Sequence, residues 1–186
     1  MSVHISRHRF DIEAYYRMAE CGILPRDARV ELLDGEIIEM APIGDRHAAC
    51  VDWLNHALAT AVSGRAIVRV QNPVRLGRRS EPQPDVTLLR YRTDFYRSGH
   101  PGPNDVLLIV EVGDSSVDFD REVKTPLYAV AGIPEVWIVD LVSERIEVYR
   151  GAGARGYSDV TRHRRGDRIS PTGLPDLVLE VSAVLG

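Results

Sequence analysis

Lysine is nearly absent from this 186-residue sequence: Lys and Arg together number 23, and lysine stands only at position 124. Cysteine is scarce as well. Cys21 and Cys50 form no CxxC pair and no Cys/His cluster, which excludes a thiolate cage or a disulfide framework and suits a reducing cytoplasm. No stretch approaches the ~18 consecutive apolar residues of a membrane span. The start, Met1 to Phe10, is polar and carries His and Arg, so no secretory signal is expected there. Aromatic residues are only 6% of the chain and form no row on which sugars could stack, which weighs against a carboxylate-pair glycosidase. Positive charge is not in excess either. The formal net charge of -4 weighs against a protein that coats nucleic acid through a broad basic field.

What is present is ordinary globular composition, 44% hydrophobic and 27% charged, at a length that suits one domain spanning residues 1–186. Phe10 to Cys21 reads as a helix capped by Asp11 and stopped by Gly22 and Pro25. Arg29–Leu33 and Glu36–Met40 flank Asp34-Gly35, a strong hairpin signal. His47 to Val62 is helical by period. Ile67–Leu76 is strand-like, with Pro73 marking an edge or bulge. Arg78 to Pro84 is a polar turn, and Asp85–Arg90 is a further strand. Tyr91 to Asp105 reads as a loop or short helix. Val106–Val112 is almost continuously apolar, as a strand buried on both faces should be. A helix from about Asp120 to Ala131 ends at Gly132. Glu135–Leu141 and Arg145–Arg150 form another hairpin, and the tail is turn-rich with one or two short strands near Val178–Val181. The pattern predicts a mixed α/β domain with one central sheet flanked by helices.

Three residues stand out. Glu111 sits inside the apolar run, where an ionised carboxylate costs several kcal/mol, of order, unless a partner compensates it. A buried arginine or a metal ion would serve, and a strand end that reaches solvent would remove the need. Asp85 opens its strand and Glu111 nearly closes its own, so antiparallel pairing of the two strands would set the carboxylates side by side. Like charges so placed imply a cation between them, and hard oxygen donors favour Mg²⁺ or Mn²⁺ over zinc. By itself Asp85 is also a plain turn residue. Lys124 falls near the start of the helix that follows Glu111, at the sheet end where α/β folds bind ligands. A coding bias toward arginine accounts for the other basic positions, and Lys124 is either a solvated surface lysine that escaped it by chance or a residue kept for its chemistry. Lysine offers a compact charge and a tunable proton, and guanidinium offers neither. Thr125-Pro126 either starts a helix at that point or kinks one begun at Asp120.

These pieces resemble a known family. Glu31-Leu-Leu-Asp-Gly-Glu36, Ala41-Pro-Ile-Gly44 with His47, Pro82-Gln-Pro-Asp85 and Leu108-Ile-Val-Glu-Val112 occur in order. They are followed by Lys124 with Tyr128-Ala129, then Gly132-Ile-Pro-Glu-Val-Trp-Ile-Val-Asp140. Together they resemble the Uma2 (DUF820) family within the PD-(D/E)XK nuclease superfamily, over nearly the whole chain. The resemblance implies a restriction-endonuclease-like fold with a central mixed β-sheet. It implies a Mg²⁺- or Mn²⁺-dependent endonuclease acting on DNA, with Asp85, Glu111 and Val112 as metal positions, Lys124 as the positive group and Glu31 as a further acid. A homodimer is expected by analogy, since cutting two strands favours two sites. The sequence departs from the superfamily at one point. The usual lysine position, two residues after the second acid, is Gly113. The same motifs are compatible with a catalytically silent module that keeps the fold for binding.

Other candidates carry plainer alternatives. Glu31 alternates with Val30 and Leu32 and could simply face an arginine. His47 opens a helix and either aids metal or phosphate binding or is a satisfied first-turn residue. Tyr128 lies one helical turn beyond Lys124, reaching the site or packing in the core. Arg162-His-Arg-Arg165 with Arg168 could hold DNA phosphates or form a solvated face.

Overall fold

A computed structural model describes residues 7–25, 27–114 and 116–186. The first six residues of the polar N-terminal stretch, and Ser115 in the turn after Glu111, lie outside the described residues.

The sheet that organises the molecule has six strands. They are β3 (Ala66–Val70), β4 (Val86–Arg90), β5 (Val106–Gly113), β6 (Glu135–Asp140), β7 (Arg145–Gly153) and β8 (Gly156–Arg164), adjacent in that order. Every neighbouring pair is antiparallel except β5–β6, which is parallel. A parallel pair needs a crossover, and here it is helical: α3 (Val117–Phe119), a π-turn (Asp120–Lys124) and α4 (Thr125–Ala131). Val106, Leu108, Ile109, Val110 and Val112 of β5 are all buried, as its unbroken apolar run requires.

The two faces of the sheet carry separate cores. On one, α2 (Asp45–Ala61) and α5 (Val181–Leu185) press Leu54, Leu58, Val181 and Val184 against Leu88, Val110 and Trp137. On the other, Val117 and Tyr128 of the crossover pack on Ile109, Val136, Ile138 and Tyr149. The result is a mixed α/β domain with helices on both sides. None of its described helices is long and apolar enough to cross a membrane.

A separate hairpin, β1 (Val30–Leu33) and β2 (Glu36–Glu39), follows α1 (Ile12–Glu20). Asp34 and Gly35 both take positive φ, 46° and 78°, which matches the twist of flanking strands in a two-residue turn. The hairpin joins the rest through the Leu32–Glu81 bridge. Two further short strands, β9 (Arg168–Ile169) and β10 (Leu179–Glu180), pair with each other.

Two expectations need correction. The strand expected over Ile67–Leu76 ends at Val70, because Gln71 turns to a left-handed φ of 49° and Pro73 has no N–H for a ladder. The tail is not mainly turns: β8 is a nine-residue strand paired along β7. Its residues, Gly-Tyr-Ser-Asp-Val-Thr-Arg-His-Arg, lack an apolar alternation because an edge strand buries little of either face.

Candidate active site

Asp85 immediately precedes β4, and Val86 pairs with Val110 of β5. Asp85 and Glu111 therefore face each other across adjacent strands, the arrangement expected of antiparallel neighbours. They are linked through the backbone in both directions. Asp85 N–H donates to Glu111 Oε2 at 3.3 Å, and Val112 N–H donates to Asp85 Oδ2 at 2.8 Å. His47, in the first turn of α2, sets Nε2 3.1 Å from the same Asp85 oxygen, and Gln71 donates to the other at 3.3 Å. The left-handed backbone at Gln71 that ends β3 thus also aims its side chain at Asp85.

Glu31 arrives from the β1–β2 hairpin. Gln83 N–H donates to its Oε2 at 3.0 Å, fixing the hairpin to the segment that carries Asp85. Lys124 arrives from the crossover. Its Nζ lies 3.2 Å from Glu31, 3.4 Å from Glu111 and 3.8 Å from Asp120. Lys124 is only 6% exposed, Glu31 3% and Glu111 2%, so the lone lysine is a buried ammonium among buried acids.

The π-turn makes this possible. Thr125 N–H reaches back to the Asp120 carbonyl, five residues earlier, and Thr125 Oγ1 donates to it as well at 2.8 Å. Pro126, next in line, has no N–H to continue a regular ladder. The helix therefore begins at Val117 and passes through Pro126 by widening one turn, rather than starting or kinking there. Asp120 and Lys124 both end on the cleft side. Such π-bulges recur at functional sites.

Gly113 explains where the lysine is not. A Cβ built on Gly113 would overlap the Val117 side chain and come within 3.0 Å of the Val117 backbone. A side chain two residues after Glu111 therefore enters only by displacing the start of α3.

The electrostatics follow from burial. Glu111 is pushed up to about 8, first by desolvation and then by the Asp120 and Asp85 charges, with Lys124 opposing. Asp120 is raised to about 6, again mainly by burial. Burial alone would lower Lys124, but Glu111, Glu31, Asp120 and Asp85 outweigh it and hold the ammonium well above the usual lysine range. A raised acid beside a raised base looks contradictory. It is resolved because Lys124 faces several carboxylates: it keeps its proton on their combined charge, while Glu111, the most deeply buried, resists ionising. His47 is raised by its hydrogen bond to Asp85. Tyr128 is fully buried, donates its hydroxyl to Glu111 Oε1 and is raised well above the usual tyrosine value by burial and by Glu111. It is at once a core residue and a partner of the site.

These groups, Tyr128 excepted, line one cavity of about 550 Å³. Glu31, Glu39, Asp85, Glu111, Asp114 and Asp120 line it against only Arg29 and Lys124, with His47 beside them. That surplus of oxygen donors and negative charge suits a hard divalent cation. Among the described residues, no three His, Cys, Asp or Glu side chains form a ready-made cage. Mg²⁺ commonly takes one or two carboxylates and completes its shell with waters and substrate oxygens, so the Asp85–Glu111 pair fits it.

Asp120, Gln71, Gln83 and Ser116 were not singled out from the sequence. Asp120 had a signal, standing four residues before Lys124 in a helix. Ser116 donates to Asp120 at 3.1 Å. Gln83 stood inside the Pro82-Gln-Pro-Asp85 stretch, whereas Gln71 carried no signal, since only the fold brings it to the acids. The arginine-rich tail segment lies elsewhere and is ion-paired: Arg162 to Glu147, Arg165 to Glu144 and Arg168 to Glu180.

A family model, Uma2, described as "Putative restriction endonuclease", matches residues 12–182. A search of curated proteins finds no match. Among solved structures, the chain is similar to one from Anabaena variabilis described as "a putative nuclease belonging to DUF820". The two are 15% identical with a TM-score of 0.68, over 84% of this chain and 89% of the other. At that identity the likeness is one of fold.

Proposed function

From the premise that this chain belongs to the Uma2 family, we propose that it is a metal-dependent endonuclease that hydrolyses phosphodiester bonds in DNA. The observation that carries the reading is the single lysine of the chain, buried within 3.4 Å of both Glu31 and Glu111 beside the Asp85–Glu111 pair.

Asp85 and Glu111, with the backbone at Val112, would hold Mg²⁺ or Mn²⁺. Such a cation supplies a lowered pKa for attacking water and withdraws charge from the phosphoryl group. Lys124 contributes a fixed positive charge. Its raised pKa makes it a poor proton acceptor, which favours stabilising charge developing on the phosphate over general-base chemistry. Glu31 and Asp120 orient the ammonium by pairing with it. His47 and Gln71 hold the Asp85 carboxylate in position, and the Tyr128 hydroxyl does the same for Glu111.

The second reading, a silent module that only binds, is favoured by the lack of a three-donor cage among the described residues. The two separate experimentally. Purified protein should nick supercoiled DNA with Mg²⁺ or Mn²⁺ and stop with EDTA. Double-strand cutting would further call for two copies, as in a homodimer. Equal nicking by wild type, Asp85→Asn and Lys124→Met would refute the assignment.

A further inference from the structure

Beside the acidic cleft lies a second cavity of about 420 Å³ with the opposite charge, lined by Arg69, Asn72, Arg75, Tyr96, Arg97 and His100. The two cavities are contiguous in the chain: Gln71 lines the first and Asn72 the second. They also share a sheet face. Arg69 of β3 pairs with Thr87 of β4, which lies two residues after Asp85 and so on the same side.

The basic groups are not all neutralised. Arg75 is committed to buried Glu81 at 2.8 Å, and Arg92 to Asp94 at 2.7 Å. Among the described residues, Arg69 and Arg97 have no carboxylate partner. Arg69 lies over the Tyr96 ring, 5.4 Å from its centre, and donates only to the Phe95 carbonyl at 3.1 Å. The guanidinium is thereby positioned with donors to spare.

Exposed rings adjoin this cavity through Phe95, whose carbonyl accepts from Arg69 and whose chain neighbour Tyr96 lines it. Tyr91 and Phe95 are 46% and 60% exposed and meet edge to face with ring centres 6.2 Å apart. Phe95 and Tyr96 both adopt left-handed backbone, φ 50° and 60°, an uncommon and costly conformation for aromatic residues. The turn turns Tyr96 inward, where its hydroxyl donates to the Arg90 carbonyl at 2.7 Å, and leaves Phe95 outside. Two exposed rings in mutual contact thus lie near two guanidinium groups that no carboxylate holds among the described residues. Cations with π-faces between them are what an unpaired nucleic-acid strand requires: charge for phosphates and platforms for bases.

We propose that Arg69, Arg97, Tyr91 and Phe95 form a binding site for an unpaired nucleic-acid strand, feeding the acidic cleft. The proposal rests on the nuclease reading for its purpose but not for its test. Duplex bases are stacked on each other and offer no faces to Tyr91 and Phe95, so the site selects single-stranded or locally opened substrate.

The test is fluorescence anisotropy with the full chain in EDTA, using a labelled single-stranded oligonucleotide and the same sequence as duplex. The single strand should bind at least about tenfold more tightly, because stacking is lost in the duplex. Phe95→Ala should weaken it about tenfold. Arg97→Ala should weaken it and lower the salt dependence by about 0.7 in log–log slope, the signature of one lost phosphate contact. Both residues are exposed, so the melting temperature should not move. Equal affinity for duplex, no binding at all, or variants that bind like wild type would overturn the proposal. Plasmid nicking is scored in parallel. A chain that binds the strand through Arg97 and Phe95 yet never nicks DNA supports this site and refutes the nuclease reading. One that nicks, with binding indifferent to both variants, refutes this site alone.

Discussion

Replacing Lys124 by methionine tests the electrostatic account most directly. The variant keeps much of the apolar stem and deletes the charge. In the wild type that charge lies 3.2 Å from Glu31, 3.4 Å from Glu111 and 3.8 Å from Asp120. At an effective dielectric of ~20, each contact is worth about 5 kcal/mol before desolvation. Breaking a buried pair, with its desolvation already incurred, typically costs about 3–5 kcal/mol. In a domain of this size that lowers the melting temperature by roughly 10 °C. The loss must depend on pH. The folded-state pKa of Glu111, about 8, lies above its ordinary 4.5, so the stability tied to its proton is complete below about 4.5 and disappears as pH rises through about 8. Lys124 opposes the upward shift of Glu111 and of Asp120, so removing it raises both further. The variant should then lose clearly less at pH 5 than at pH 8.5, where the loss reaches several kcal/mol. Urea unfolding of both proteins at the two pH values, in chelator, gives the comparison. An equal loss at both values, or none at pH 8.5, would refute the reasoning.

The other predictions concern neighbouring groups. Asp85→Asn keeps an acceptor for Val112 N–H, so the fold should survive with a melting temperature within a few degrees of wild type, while calorimetry shows Mn²⁺ binding abolished. Tyr128→Phe removes the hydroxyl from Glu111, which should weaken Mn²⁺ binding by about 10- to 100-fold as lost outer-shell partners do, and cost about 1–2 kcal/mol in denaturant titration. Unchanged affinity would show that Glu111 does not hold the ion. Gly113→Ala should lose about 1–3 kcal/mol by overpacking against Val117, and a Gly113→Lys, Lys124→Met double variant should fail to regain nicking. Wild type without metal should unfold at lower temperature at pH 8.5 than at pH 6, because His47 and Glu111 both have raised folded-state values whose stabilisation fades as pH climbs. Saturating Mn²⁺ should narrow that difference, read by differential scanning calorimetry.

Local chemistry alone determined a good part of this protein. An apolar run with one acid inside it already meant a buried strand and a carboxylate in need of a partner. Asp34-Gly35 fixed a hairpin through positive φ, and the single lysine among arginines is the one the fold buries beside Glu31, Glu111 and Asp120. Strand ends placed Asp85 opposite Glu111 because pairing geometry follows from the strands themselves. The tertiary structure decided the rest. Glu31 joins the cleft only because the hairpin is docked through the Leu32–Glu81 bridge and the Gln83 N–H, contacts far apart in sequence. Asp120 turns inward only because a π-turn accommodates Pro126. β8 was illegible because an edge strand has no core face to impose alternation. The lysine was visible in the sequence, but the crowding at Gly113 was not: Val117 comes too close for a side chain there, and that closeness is a fact of packing.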